Sequence, residues 1–283
     1  MPLSRGVHPP RTRGGMLSTL VWGLDDLSMS DARVPEFSID DVAALQRQLD
    51  ACRAELAALR QEQATFAHGI SHDLRAPLRA IESFAALAAA DAGLAAGTRG
   101  HVERVRAAAT RMSGLIEALL EYSRAGRAEL DPDGVDLGLL VEWAGAELRE
   151  ADPSREATID VDPGLRVRGD ARLLKVLVQQ LLDNAWKFSR TRDCVRIRVS
   201  GARAGARMHV AVRDAGCGFD MRYAEKMLQP FQRLHGPEQG GGHGLGLAIA
   251  QRIVARHGGQ LRAHALAEGG SEFRFDLEAA PGG

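Results

Sequence analysis

The chain has little cysteine, almost no net charge and no apolar run long enough to span a bilayer. Its three cysteines, Cys52, Cys194 and Cys217, are odd in number and widely spaced. They give neither a disulfide framework nor a zinc signature, and they fit a reducing cytosol. Basic and acidic residues balance to a net charge of −1. No excess of one sign favours nucleic acid or an anionic membrane as a partner. The stretch MLSTLVWGLDDLSM is broken by Gly23, Asp25 and Asp26. It falls short of the ~18 apolar residues of a spanning helix, and no small-residue cleavage site follows it. A cytoplasmic chain without a membrane span is expected. Residues 1–39, which open on the basic, Pro/Gly-rich MPLSRGVHPPRTRGG, are expected to be mostly disordered.

The pattern then becomes helical. Val42, Leu45, Leu49, Cys52, Leu56, Leu59, Gln63, Phe66 and Ile70 alternate steps of three and four. Such a seam marks a coiled coil, and a strict a/d stripe is too narrow to cover a globular core. The helix is expected to continue to about Ala90, where DAGLAAGTRG breaks it with three glycines. A second stripe, Val102, Val105, Ala109, Met112, Ile116 and Leu119, follows. Two such helices form a hairpin, and two hairpins form a dimeric four-helix bundle. Residues 40–125 are therefore predicted to be a coiled coil and dimerisation hairpin. Within it, SHDLRAP places His72 beside Asp73 and five residues before Pro77. The helical period turns His72 about 200° from the seam residue Ile70, so it should face outward.

The polar RAGRAELDPDG marks a boundary, and residues 134–283 mix helices with alternating strands. The expectation is an α+β sandwich with helices on one face of a mixed sheet. Three stretches here carry chemistry. QQLLDNAWKF puts Gln180, Asn184 and Lys187 on one helix face, where an amide oxygen can meet a hard cation and a lysine can meet phosphate. DAGCGF follows a strand, so Asp214 can accept from an exocyclic amine while Gly216 and Gly218 let backbone approach a ligand. GGGHGLGLAI opens a helix whose amides can bind phosphate. Between the last two lies MLQPFQRLHGPEQ, long enough for a lid, with Phe231 as its core anchor, its ligand contact or both. Taken singly, these read equally as a polar helix face, a tight turn and a flexible linker.

Their order is more specific. A His-Asp helix, a hairpin, Asn-Ala-x-Lys-Phe, Asp-x-Gly-x-Gly-Phe and Gly-x-Gly-x-Gly-Leu together resemble the sensor histidine kinases of two-component signalling, most closely the phytochrome-like branch. The resemblance runs from about Thr65 to Leu277. It implies a Bergerat-type ATP-binding domain, ATP and Mg²⁺ as cofactors, a homodimer and a response-regulator receiver domain as partner. By the same resemblance, His72 is the phosphoacceptor and Asp73 orients it. Asn184 holds Mg²⁺ with Gln180 beside it, Lys187 faces the phosphates and Phe188 lines the pocket. Asp214 reads the adenine amine, Gly216 and Gly218 shape that pocket, and Gly242, Gly244 and Gly246 form the hinge and phosphate loop.

Three positions depart from the family. Gln180 stands where many relatives have Asn, Leu228 where Phe is common, and His243 where Thr or Ser is usual. Ala76, four residues after His72, stands where phosphatase-competent relatives carry Thr or Asn. No sensor domain precedes the coiled coil, so the signal input is not readable from the sequence: a separate sensor protein, the short N-terminus or no input at all are the alternatives. Two other readings stay open: a catalytically weak dimeric adaptor on the same fold, and an ATPase of the chaperone or mismatch-repair type.

Overall fold

The computed structural model describes residues 39–91, 93, 95–189, 194–234 and 242–281, with backbone alone for a few helix positions, His72 among them. The expected disorder of the N-terminal segment, the outward angle of His72 and the middle of the expected lid lie outside what is described. The chain divides into two units, residues 1–55 and 56–283. In the first, the seam residues Leu45 and Leu49 are exposed, and Arg53 pairs with Asp50 at 3.6 Å.

Helix α1, Ile39–Ala90, continues through Pro77. Helix α2 is Ala96–Ala125. It starts earlier than the glycines of DAGLAAGTRG lead one to expect, because Gly97 and Gly100 are taken into its first turns. Arg99 reaches back to the carbonyls of Ala89 and Asp91 at 2.5 and 2.8 Å, which satisfies the end of α1 and closes the turn. Ser113 donates to Glu82 at 3.2 Å across the two helices. Only Ala109, Leu120 and Ala125 of α2 are fully buried, while Val105 and Met112 stay half-exposed.

The rest of the second unit is a layered domain. Its elements are β1 (Pro132–Asp136), α3 (Leu137–Ala151), β2 (Ala157–Val161), β3 (Arg166–Asp170), α4 (Ala171–Phe188), β4 (Val195–Ala204), β5 (Arg207–Asp214), α5 (Gly246–Arg256), β6 (Leu261–Ala265) and β7 (Ser271–Glu278). The main sheet runs β2-β4-β5-β7-β6, with β2 parallel to β4 and the other pairs antiparallel. Its inner face, Ile197, Val199, Val210, Val212, Phe273 and Phe275, packs on Leu174, Leu177, Leu181, Ile249 and Ile253 of the helices. Arginines alternate with these residues on the outer face, the period-2 pattern of a sheet covered on one side. A separate pair, β1 with β3, buries Val135 against Val167. A helical hairpin region thus precedes an α/β-sheet domain, the architecture expected from the motif order.

Candidate active site

Helix α4 begins on a strong cap. Asp170 accepts from the amides of Arg172 and Leu173 at 3.0 and 3.3 Å, and Arg172 adds side-chain bonds. The Arg172 guanidinium and these amides hold the Asp170 carboxyl far below the usual range, against its burial. The cap fixes the phase of α4, whose apolar face buries Leu174, Leu177, Leu181 and Ala185. The flank of that face is thereby presented to a cavity of about 320 Å³, lined from α4 by Gln180, Asp183, Asn184, Lys187 and Phe188.

The opposite wall is Gly242, His243, Gly244, Leu245, Gly246 and Leu247. Leu245 is the N-cap of α5 and supplies no side-chain acceptor, so the first amides of that helix remain for a ligand. Gly244 has φ +69°, and a Cβ there would stand 2.7 Å from the Gln232 carbonyl, so glycine is required. Phe231 beside it is strained at φ 63° and donates its amide to the Gly244 carbonyl at 2.7 Å. It is 57% exposed. The core anchor of this segment is instead Leu228, which is buried. A non-glycine residue held in this region is the kind of strain that collects at ligand-binding turns.

Asp214 closes β5 and is buried. Its Oδ1 accepts from the amides of Gly216 at 2.8 Å and Ser271 at 3.2 Å. Burial pushes its carboxyl up, and those two amide bonds with the Ser271 side chain pull it part of the way back. Gly216 packs so closely under Phe188 that a Cβ would stand 2.6 Å from its carbonyl oxygen. Gly218 and Ser271 reach the cavity wall, whereas Asp214 lines an adjoining depression with Cys194, Arg196 and Arg213.

The structure therefore gathers Gln180, Asn184, Lys187, Phe188, Gly218, Gly242, Gly244 and Gly246 around one cavity, with Gly216 and Asp214 immediately behind its wall. His72 and Asp73 lie on α1, and Asp73 is not among the lining residues. Sequence reasoning passed over Asp183, Arg233, Ser271 and the α2 residue Ala118, all of which line it. Asp183 was available from its place one turn before Lys187, but nothing in α2 pointed to the cavity.

Charge around the cavity is mixed. Glu121 of α2 accepts from Gln180 at 3.0 Å. Burial and nearby Asp183 push its carboxyl up, against Arg124 and the Gln180 bond. Burial also raises Asp183, with Glu147 adding to it. His243 is held down by burial and by the positive charges of Arg233 and Lys187. Hard oxygens from Asn184, Asp183 and Gln180 share a wall with the Lys187 ammonium. That donor set fits a divalent cation bound together with phosphate rather than in an all-protein cage. Among the described residues there is no cluster of three or more His, Cys, Asp or Glu able to hold a metal alone.

Comparison with known proteins agrees with this layout. Residues 62–128 match the His Kinase A (phospho-acceptor) domain, and residues 169–281 match the histidine kinase-, DNA gyrase B- and HSP90-like ATPase. The sensor-like histidine kinase SenX3 of Mycolicibacterium smegmatis is 30% identical over 81% of this chain, which spans 61% of that protein. The phytochrome-like protein Cph1 of Synechocystis is 28% identical over 84% of this chain, which spans 31% of it. The crystal structure of full-length ShkA in complex with AMPPNP matches 76% of this chain and 46% of its own, with TM-score 0.57 and 26% identity. The chain thus spans less than two thirds of the length of these relatives. With a phospho-acceptor hairpin and an ATPase domain in this order, the chain belongs to the sensor histidine kinases of two-component systems.

Proposed function

We propose that the protein is an ATP-dependent histidine autokinase that phosphorylates His72 and passes the phosphoryl group to an aspartate of a response regulator. The observation that carries this reading is the cavity itself. It joins an amide and an ammonium on α4, Asn184 and Lys187, to the uncapped N-terminus of α5. Those are the groups a triphosphate needs: fixed amides, one mobile cation and a hard oxygen for its metal.

In this reading one imidazole nitrogen of His72 attacks the γ-phosphorus with its lone pair. The bond from that phosphorus to the β,γ-bridging oxygen breaks, and ADP leaves with the electron pair. Asp73 accepts a hydrogen bond from the other ring nitrogen, fixing the tautomer and balancing the charge that develops. Lys187 and the Gly242–Gly246 amides hold the phosphate oxygens, and Asn184 would hold Mg²⁺, which when bound neutralises phosphate charge. Asp214, behind the wall formed by Gly218 and Ser271, reads the adenine amine. The acyl phosphate on the regulator then forms by attack of its aspartate, regenerating His72.

The apolar surface of the hairpin supports a homodimer. Ile81, Phe84, Leu87, Val105 and Met112 are 43–71% exposed in the single chain. Burying what remains exposed of each is worth about half of the 1.5–3 kcal/mol of a full side chain, which packing against a second hairpin would supply. Among the described residues no helix is long and apolar enough to cross a membrane. A cytoplasmic enzyme fits this, with a separate sensor protein as one source of its signal.

Incubation with γ-labelled ATP tests the reading. Acid-labile label on the wild type, lost in His72→Gln while nucleotide binding survives, is the expected result. Released phosphate without protein label would make it an ATPase, and neither product would make it an adaptor. Sedimentation of a monomer at micromolar concentration would sink the dimer.

A further inference from the structure

Gly114 lies in the interior of α2, where glycine is less favourable than alanine. The space its missing side chain leaves is occupied from the ATPase domain. A Cβ at Gly114 would stand 2.6 Å from Nε2 of His243, so the imidazole rests against the α2 backbone. The same side of α2 continues this contact. Ala118 lines the nucleotide cavity, Glu121 accepts from Gln180 at 3.0 Å, and the Arg252 guanidinium lies 4.3 Å over the Tyr122 ring. Position 118 lies one helical turn from 114, 121 and 122, so the four form one face. Both polar departures from the family pattern, Gln180 and His243, are thus spent on α2.

We propose that His243 is a positioning residue that latches the Gly242–Gly246 loop onto Gly114 of α2, so that docking of this helix and binding of nucleotide compete. The proposal rests on the nucleotide reading of the cavity. His243 sits inside the loop whose amides must close on phosphate, between two cations of that same site, Lys187 on α4 and Arg233. Those cations and burial favour the neutral ring, which can lie against helix backbone without burying a charge. A polyphosphate reverses this balance. It cancels the charge of Lys187 and Arg233 and offers the imidazole an anionic acceptor, so the ring leaves the notch and α2 is released. The two equilibria are linked: whatever weakens the latch must tighten nucleotide, by at most the factor by which it weakens docking.

The test uses the full chain and a fluorescent trinitrophenyl-ATP competed by ATP. Gly114→Ala fills the notch with a methyl group while improving helix propensity, and circular dichroism checks its fold. Expected is tighter nucleotide binding in Gly114→Ala, by about fivefold or more. In a His243→Ala background the same change should have no effect, because no ring is left to displace. Equal or weaker binding by folded Gly114→Ala overturns the latch. Absence of nucleotide binding in the wild type overturns the reading of the cavity, and the latch with it. Should Gly114→Ala not fold, hydrogen exchange of wild-type α2 around residues 113–121 decides. Faster exchange with saturating nucleotide supports the latch, and unchanged exchange overturns it.

Discussion

Gln180 donates its side-chain amide to the Glu121 carboxylate at 3.0 Å, which ties the rim of the nucleotide cavity to helix α2. The bond depends on the length of glutamine. Asparagine, frequent at this position in similar kinases, ends one carbon–carbon bond, ~1.5 Å, short of it. Gln180→Asn should therefore leave a half-buried carboxylate without its amide partner. A hydrogen bond to a charged group is worth about 1.5–3 kcal/mol, and partial exposure lowers this towards about 1 kcal/mol. The expected outcome is a lower urea midpoint and faster amide exchange in α2 near Glu121. An unchanged midpoint with unchanged exchange would show that the bond contributes nothing.

Asp214 should be held at the expense of stability. Burial raises its carboxyl above the ordinary value, so the folded state keeps the proton to a higher pH than the unfolded chain does. Stability is then lost as pH rises from the usual carboxylate range through the folded value. Asp214→Asn retains an oxygen for the Gly216 and Ser271 amides and removes the buried charge. The nucleotide-free variant should melt higher than wild type at pH 8, and the two should converge towards pH 4. Adenine nucleotides should bind it more weakly, with no matching loss for nucleotides that lack the exocyclic amine. Identical melting at both pH values would refute the stability argument. Equal loss for both nucleotide types would refute the adenine contact.

The helices and four of the five main-sheet strands were legible because one face of each carries a clean period; β6, Leu261–Ala265, was not read. Leu174, Leu177 and Leu181 step with a helix, and Val195, Ile197 and Val199 alternate with arginines. The pair β1 and β3 was not, because PDGVD and RVRGD each bury one side chain against the other, Val135 and Val167, too few for a periodic signal. The start of α2 was misplaced for a related reason: glycines that propensity reads as a break sit in exposed first turns, where they cost little. Within the site, the polar face of α4 and the glycine loop were visible as patterns, but it took the order of the motifs, and the resemblance it carries, to give them roles. Gly114, Ala118 and Glu121 could not be read, because their importance comes from what packs on them from more than fifty residues away in sequence.

The enzyme should make phosphoprotein readily and remove phosphate from its regulator poorly. In similar kinases that dephosphorylate their regulators, the position four residues after the phosphoacceptor carries Thr or Asn. One helical turn places that side chain beside the histidine, where it can hold the attacking water. Here the position is Ala76, an exposed methyl with no donor or acceptor, followed directly by Pro77 on the same helix. One missing hydrogen bond to a polar transition state is worth ~2.7–4 kcal/mol, or roughly a hundred- to a thousandfold in rate. The measurement is the decay of chemically phosphorylated regulator, alone and with the kinase plus ADP. Wild type should leave the decay nearly unchanged, and Ala76→Asn should speed it at least tenfold while His72 labelling persists. Strong acceleration by the wild type would mean that another group positions the water. In that case the methyl at Ala76 reports only a residue that suits a helix.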